Sequence, residues 1–247
     1  MRLITLLTDY HFKDYYLAKV KSRLFKCYPK DHILDICHEI PHFNLEQAAY
    51  AFNAMLPEFN DKDLHFIFIH LHYNKNYSVI VAKTKTHGTI VAPNNGILGL
   101  LQVEFIDFFE LTVLPSPFVE LAIIEQVSKT ELPSLKTIKD PFFLKNKEIR
   151  FREKEMTGEI IYTDTYGNSI VNIKKADFDA FTANSIYQII IRREIIECLS
   201  EDYSDNREAG MVVFFNEQGY LEIANNSGNS EDLLGLKAGM KINIKKN

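Results

Sequence analysis

Short apolar runs alternate with helical spacing along the first half of this chain. Residues 3–7 form a buried-strand pattern that ends at Thr8-Asp9, and Tyr16, Leu17, Val20 and Leu24 then recur at helical intervals. Residues 32–36 read as the next strand. Asn44 is placed to cap a helix carrying Leu45, Ala48, Ala49, Phe52 and Leu56, which Pro57 closes. Further strand-like runs cover residues 64–69, 78–82 and 89–92, the last ending at Pro93-Asn94-Asn95-Gly96. Strand-helix alternation of this kind predicts an α/β domain with a largely parallel sheet, here over residues 1–145.

The pattern changes in the middle. Residues 129–152 are rich in lysine, contain Pro133 and Pro141, follow Pro115 upstream, and show little periodicity. They read as a connection. Beyond them, residues 158–163, 169–173, 186–192, 211–215, 220–223 and 241–244 are short β-type runs separated by turns such as Tyr-Gly-Asn and Gln-Gly-Tyr. That spacing predicts an antiparallel, barrel-like β domain over residues 155–247.

Composition narrows the function classes. Of 247 residues 46% are hydrophobic, ample for a core, and the formal net charge of −5 advertises no polyanion-binding surface. Neither nucleic acid nor membrane is expected as a partner, because no stretch approaches the roughly 20 apolar residues of a membrane helix. Cys27, Cys37 and Cys198 have no metal or redox spacing and read as free thiols. With an opening too briefly apolar for a signal peptide, they predict a soluble, cytoplasmic protein.

Candidate chemistry gathers just after the predicted strands: Asp9, then Asp35, His38 and Glu39, then His70 and His72, then Asn94 and Asn95. Ligands of open α/β sheets bind beyond the carboxyl ends of the strands. Any one of these residues alone is better explained as a helix cap, a turn former or a surface polar group. Taken together, convergence on one rim and the plain reading are evenly matched. His65, His70 and His72 could also be read as metal ligands, but no acidic third ligand lies within that segment, and no metal or cofactor is expected.

Four segments carry a resemblance. Thr8-Asp9-Tyr10-His11-Phe12-Lys13-Asp14-Tyr15-Tyr16-Leu17-Ala18-Lys19-Val20-Lys21 resembles T-D-F-G-x-x-D-x-Y-V-G-x-M-K, with His11 and Ala18 in place of both glycines. Ile33-Leu34-Asp35-Ile36-Cys37-His38-Glu39-Ile40-Pro41-His42-Phe43 is similar to I-V-D-I-T-H-E-I-P-P-F, the most specific match. Pro93-Asn94-Asn95-Gly96-Ile97-Leu98 is similar to P-D-N-G-L-L. Residues 158–168 and 219–224 resemble G-x-I-x-x-x-D-x-F-G-N and G-x-L-E-I-A. These are segments of the S-adenosylmethionine-dependent fluorinase, chlorinase and hydroxide adenosyltransferase family.

The resemblance implies an N-terminal α/β domain that binds a nucleoside, a C-terminal β-barrel, and a homotrimer with ligand between the N-domain of one subunit and the C-domain of its neighbour. It gives Asp9 to the ribose diol, Tyr166 to the adenine face and the Asn168 backbone to the base edge. Asp164 is placed to pair with the methionine ammonium. A helix cap remains the plain alternative for Asp9, as a β-turn does for Tyr166 and Asn168.

The resemblance breaks at the catalytic positions. Hydroxide-transferring members resemble one another in an Asp and an Arg within D-P-G-V-G-x-x-R-R and a His in F-H-G-R-D. Here His70 stands opposite the Asp and Tyr77 or Ser78 opposite the Arg, while residues 114–120 hold no His-Gly-Arg-Asp. Three readings follow: a hydrolase with a rebuilt site in which His70 or His72 is the base, a nucleoside binder without turnover, or a structural trimer. Because losing a general base typically costs about 10²–10⁴ in rate, hydrolysis is expected to be slow or absent, with His70 the leading catalytic candidate.

Overall fold

A computed structural model of the chain describes residues 2–71, 78–113, 118–183, 185–205, 210–226 and 228–246. The chain divides into two compact units, Met1–Asn146 and Lys147–Asn247.

The strands of the first unit are β1 (Leu3–Thr8), β2 (His32–Cys37), β3 (Leu64–Phe68), β4 (Val79–Thr84), β5 (Thr89–Pro93), β6 (Phe105–Leu111) and β7 (Lys136–Ile138). They form one sheet in the order β2-β1-β3-β5-β4-β6-β7. β2, β1, β3 and β5 run parallel, and β4, β6 and β7 add an antiparallel side. Helices α1 (Tyr16–Cys27), α2 (Leu45–Ala54) and α3 (Val119–Lys129) cover it. α1 and α3 bury Leu17, Val20, Leu24, Ile123 and Ile124 against one face, with Leu6, Phe66 and Val81. α2 buries Ala48, Ala49 and Phe52 against the other, with Leu7, Ile67 and Ile90. Coverage of both faces explains why these strands read as near-continuous apolar runs rather than alternating ones.

The predicted cap is present. Asn44 accepts a hydrogen bond from the Gln47 amide at 3.0 Å, and α2 gives way to a single 3-10 turn containing Pro57. α1 starts at Tyr16 without a side-chain cap. The stretch expected to be a plain connection is more ordered than its composition suggests. Lys136–Ile138 is an edge strand of the first sheet, the Leu144 amide donates to the Gly96 carbonyl at 3.0 Å, and the Phe142 amide donates to Asn94 Oδ1 at 2.8 Å. Gly96 has φ +99°, and a Cβ there would lie 2.5 Å from Leu144 Cγ, so both backbone and space require glycine.

The second unit consists of β8 (Arg150–Phe151), β9 (Glu155–Thr163), β10 (Ser169–Lys174), β11 (Tyr187–Ile191), β12 (Glu194–Ile196), β13 (Met211–Phe215), β14 (Tyr220–Asn225) and β15 (Lys241–Lys246), with helices α4 (Lys175–Thr182) and α5 (Ser230–Leu234). Its sheet is antiparallel in the order β12-β11-β15-β9-β10-β14-β13, with β8 beside β9. Ile189 and Ile191 of β11 share one buried cluster with Val213 of β13, from the far side of that order. The sheet is therefore rolled into a barrel-like form, and the Ser200 amide donates to the Val213 carbonyl at 2.7 Å across the roll. No described helix is long and apolar enough to cross a membrane.

Candidate functional site

Because β1, β2, β3 and β5 run parallel, the segments after them emerge at one edge, and their hydrogen bonds show that they meet. Asp9, just past β1, is only 4% exposed. Its Oδ2 accepts from the Phe43 amide at 2.9 Å and from the His70 amide at 3.3 Å, joining the segments after β2 and β3. The His11 amide donates to the His38 carbonyl at 2.9 Å, and Asn95 Nδ2 donates to the Ile69 carbonyl at 2.9 Å. Asp9 is thus no cap for α1. It fastens two distant backbone segments.

His11, Phe43 and His70 all have left-handed backbone, with φ of +58°, +66° and +53°. Each such residue costs of order 1–3 kcal/mol and persists only because its surroundings impose it, and such strain gathers at functional sites. The Phe43 and His70 rings pack together with centroids 4.8 Å apart, and the His11 ring meets His42 edge-on at 4.6 Å.

The first two matched segments interlock beneath this cluster. Lys21 Nζ, on α1, lies 2.5 Å from Asp35 Oδ2 on β2. Asp35 Oδ1 is 3.2 Å from Nε2 of the buried His38, a close contact without hydrogen-bond alignment, and His38 Nδ1 shares a 2.9 Å hydrogen bond with the Thr8 hydroxyl. Burial pushes the His38 imidazole below its ordinary range, against the pull of Asp35. Burial would raise the Asp35 carboxyl, but Lys21 and His38 outweigh it and hold it low. The role of Asp35 and His38 is thereby legible: they brace the end of β1 from which Asp9 projects.

Glu39 does something else. Its Oε2 lies 2.6 Å from His11 Nδ1 and its Oε1 accepts from the Phe12 amide at 3.1 Å. The His11 contact holds the Glu39 carboxyl below its usual range. His11, Glu39 and His42 border an open pocket of about 410 Å³ with Lys13 and Asp14.

Of the remaining histidines, His65 is fully buried: Nε2 donates to the His87 carbonyl at 2.8 Å, so Nδ1 accepts from the Thr5 hydroxyl at 2.9 Å. Both ring nitrogens are spent on the core, and burial pushes the imidazole down to about 4. His72 and Tyr77 lie outside the described residues, as do Leu114–Pro117 of the segment lacking the family histidine. Among the described residues no His, Cys, Asp and Glu form a metal-holding group.

The second unit carries its own cluster. Between β9 and β10, Asp164 Oδ1 accepts from the amides of Tyr166 and Asn168, both at 2.9 Å, and Oδ2 accepts from Asn168 Nδ2 at 3.0 Å. Asp164 therefore shapes the loop that presents Tyr166, a residue 76% exposed. Gly167 has φ +81°, and a Cβ there would strike Asn229 Oδ1 at 2.0 Å. Asp164, Tyr166 and Asn168 line a pocket of about 720 Å³ with Tyr203, Asn225 and Asn229. Beneath it, Glu222 is 4% exposed and accepts from the Tyr203 hydroxyl at 2.5 Å and from Asn216 Nδ2 at 3.2 Å. Burial raises its carboxyl above the usual range, with Asp164 adding to the rise.

So Asp9 and His70 come together in the first unit, and Asp164, Tyr166 and Asn168 in the second. Phe43, Glu222 and Tyr203 were not singled out beforehand. Phe43 and Glu222 sit inside matched segments that signalled them; Tyr203 had no signal.

Comparison with known proteins agrees in extent and order. Residues 4–119 match the N-terminal domain of the SAM (S-adenosylmethionine) hydroxide adenosyltransferases, and residues 158–243 match their C-terminal domain. The (R)-S-adenosyl-L-methionine hydrolase of Methanocaldococcus jannaschii is 28% identical over 95% of this chain and 92% of its own length. The hydrolase of the same name from Thermus thermophilus is 22% identical over 99% and 100%. A crystal structure of an uncharacterized conserved protein from Thermotoga maritima superposes with a TM-score of 0.87 at 23% identity, covering 98% of this chain and 99% of that one. That of a conserved hypothetical protein from Thermus thermophilus gives 0.76 at 22% identity, covering 100% of both chains. These last two show the fold.

Proposed function

This chain belongs to the SAM hydroxide adenosyltransferase family, and from that premise we propose that it binds S-adenosylmethionine by its adenosyl group and hydrolyses it slowly to adenosine and methionine. The observation that carries this reading is Asp9, a nearly buried carboxylate held by two backbone amides at the carboxyl edge of a parallel sheet. With Oδ2 occupied by those amides, Oδ1 is the acceptor offered to a ribose diol. In the second unit, the exposed Tyr166 side chain offers a face for adenine, and the Asp164 carboxylate beside it favours the cationic methionine end.

The reaction needs little proton donation. Water attacks ribose C5′, the cationic sulfur takes the pair of the breaking C5′–S bond and leaves as a neutral thioether, so no general acid is required. Water must be oriented and relieved of a proton. Assembly belongs to the same reading: in a homotrimer, the Asp9 cluster of one copy and the Tyr166 pocket of another would contribute to each of three equivalent sites. Binding without turnover is the second reading, favoured by His70, which stands where the family has its Asp and gives its backbone amide to Asp9.

Thermal-shift titration with S-adenosylmethionine, adenosine and methionine, together with chromatography of released adenosine, tests both. Stabilisation by adenosine and by S-adenosylmethionine is expected, since a ligand of the native state raises its stability by mass action. Slow adenosine release supports hydrolysis; stabilisation without release leaves the binding reading. No stabilisation by either nucleoside overturns both.

A further inference from the structure

Resting on the hydrolysis proposed above, we infer that His11, oriented by Glu39, takes the proton of the attacking water in this chain. Four observations meet at this side chain. First, an imidazole occupies a place where the resembling sequences have glycine, yet the backbone keeps a left-handed conformation, φ +58°. Glycine adopts that conformation freely and histidine does not, so the ring is held there at a cost.

Second, its partner is fixed. Glu39 Oε2 is 2.6 Å from Nδ1 while Oε1 holds the Phe12 amide at 3.1 Å, so the carboxylate cannot turn away without losing both. An ionised carboxylate only accepts, which places the proton on Nδ1 and the lone pair on Nε2. Third, Nε2 is shielded and has no hydrogen-bond partner among the described residues. A buried polar atom left unpaired calls for a partner that arrives in the working state, and a water admitted with substrate is one. Fourth, the ring borders the pocket of about 410 Å³ and follows Asp9 by two residues. The groups around it are Glu39, His38 and His42 from the segment after β2, and Tyr10, Lys13 and Asp14 from its own loop.

Carboxylate, imidazole and an unpaired Nε2 are the parts of a general base. In the step itself, a C–O bond forms at ribose C5′ as the C5′–S bond breaks, and that electron pair passes to sulfur, giving neutral methionine thioether. The proton lost by water moves to His11 Nε2. The resulting imidazolium keeps Nδ1–H on the Glu39 carboxylate, then returns the proton to solvent.

The test uses His11→Gly, chosen because glycine suits the left-handed backbone, and Glu39→Gln. Adenosine release is followed chromatographically from pH 5 to 9, with adenosine affinity measured by calorimetry. The expected result for His11→Gly is a fall in kcat of about 10²-fold or more, unchanged adenosine affinity, and loss of the acidic limb of the pH profile. Added imidazole should restore part of that rate, and Glu39→Gln should lower kcat less. Wild-type turnover with His11→Gly equally fast and equally pH-dependent overturns this assignment and spares the hydrolysis reading. So does a loss that imidazole does not rescue and that follows adenosine affinity, which would make His11 a wall of the pocket. Wild type that binds adenosine yet never releases it from S-adenosylmethionine removes both.

Discussion

Two aspartates organise the two clusters, and they work over different distances. Asp9 holds amides 34 and 61 residues away, which only the packed sheet brings together. Asp164 holds amides two and four residues along its own loop. The first cluster is an outcome of tertiary structure, and the second is close to a property of local sequence. Disturbance at Asp9 should therefore spread into the fold, whereas disturbance at Asp164 should stay in its loop.

The largest separation is expected from alanine at each position. Asp9→Ala strands the Phe43 and His70 amides, both on left-handed residues, at about 1–3 kcal/mol per unsatisfied donor. Melting temperature should fall and nucleoside affinity should vanish together. Asp9→Asn keeps an acceptor for the amides and loses a charge-assisted bond worth about 1.5–3 kcal/mol, so adenosine should bind tenfold or more weakly with little thermal loss. Asp9→Ala that melts like wild type would erase the contrast.

The units should also answer acid in opposite senses. His65 is neutral in the fold with an imidazole near 4, whereas the unfolded chain takes up a proton near 6.5. Unfolding therefore binds a proton between those values, and stability is lost as pH falls through that window, by about 3 kcal/mol in full. Buried His38 acts in the same sense. Glu222 acts the other way: its raised carboxyl keeps a proton in the fold that the unfolded chain releases above about 4.5, so its contribution improves on acidification. Hydrogen exchange at pH 7 and 5 should show protection falling around β1 and β3 and not around β14. Equal loss in both would contradict this.

A smaller effect is expected at Asp164→Ala, about 1–2 kcal/mol as for a lost capping side chain, confined to residues 164–168 and visible as weakened adenosine binding. Loss of exchange protection throughout the barrel would show that this loop is not local. Smallest is Lys21→Met. The Lys21–Asp35 pair is about a third exposed, which limits it to about 1 kcal/mol or less, although nucleoside affinity should drop slightly as the brace behind Asp9 loosens. A drop as large as that of Asp9→Asn would mean that Lys21 meets the ligand itself.

Much of this arrangement was legible beforehand. The apolar runs marked β1 to β5, and Asn44 marked the start of α2, because capping is local chemistry; the helix ends at Ala54, ahead of the 3-10 turn that holds Pro57. Of the residues after the strands, the segments holding Asp9, His38, His70 and Asn95 are joined by hydrogen bonds, while His72 lies outside the described residues. What stayed hidden was ordered by partners distant in sequence. Lys136–Ile138 is a strand because β6 offers it an edge, and its lysine-rich surroundings gave no sign of that. His70 drew attention for its ring, while its backbone amide makes the contact with Asp9.

The amino-acid sequence by itself determined the two folds, the family and the set of polar residues at the strand ends, because hydrophobic period, turn chemistry and motif spacing act over a few residues. Only the tertiary structure decided which of those residues meet. It turned His11, Phe43 and His70 left-handed, gave Asp9 two amides, and set Glu39 against His11. A left-handed backbone is uncommon for histidine and rarer still for a bulky phenylalanine. Those conformations persist because hydrogen bonds and ring contacts from separate strands impose them together.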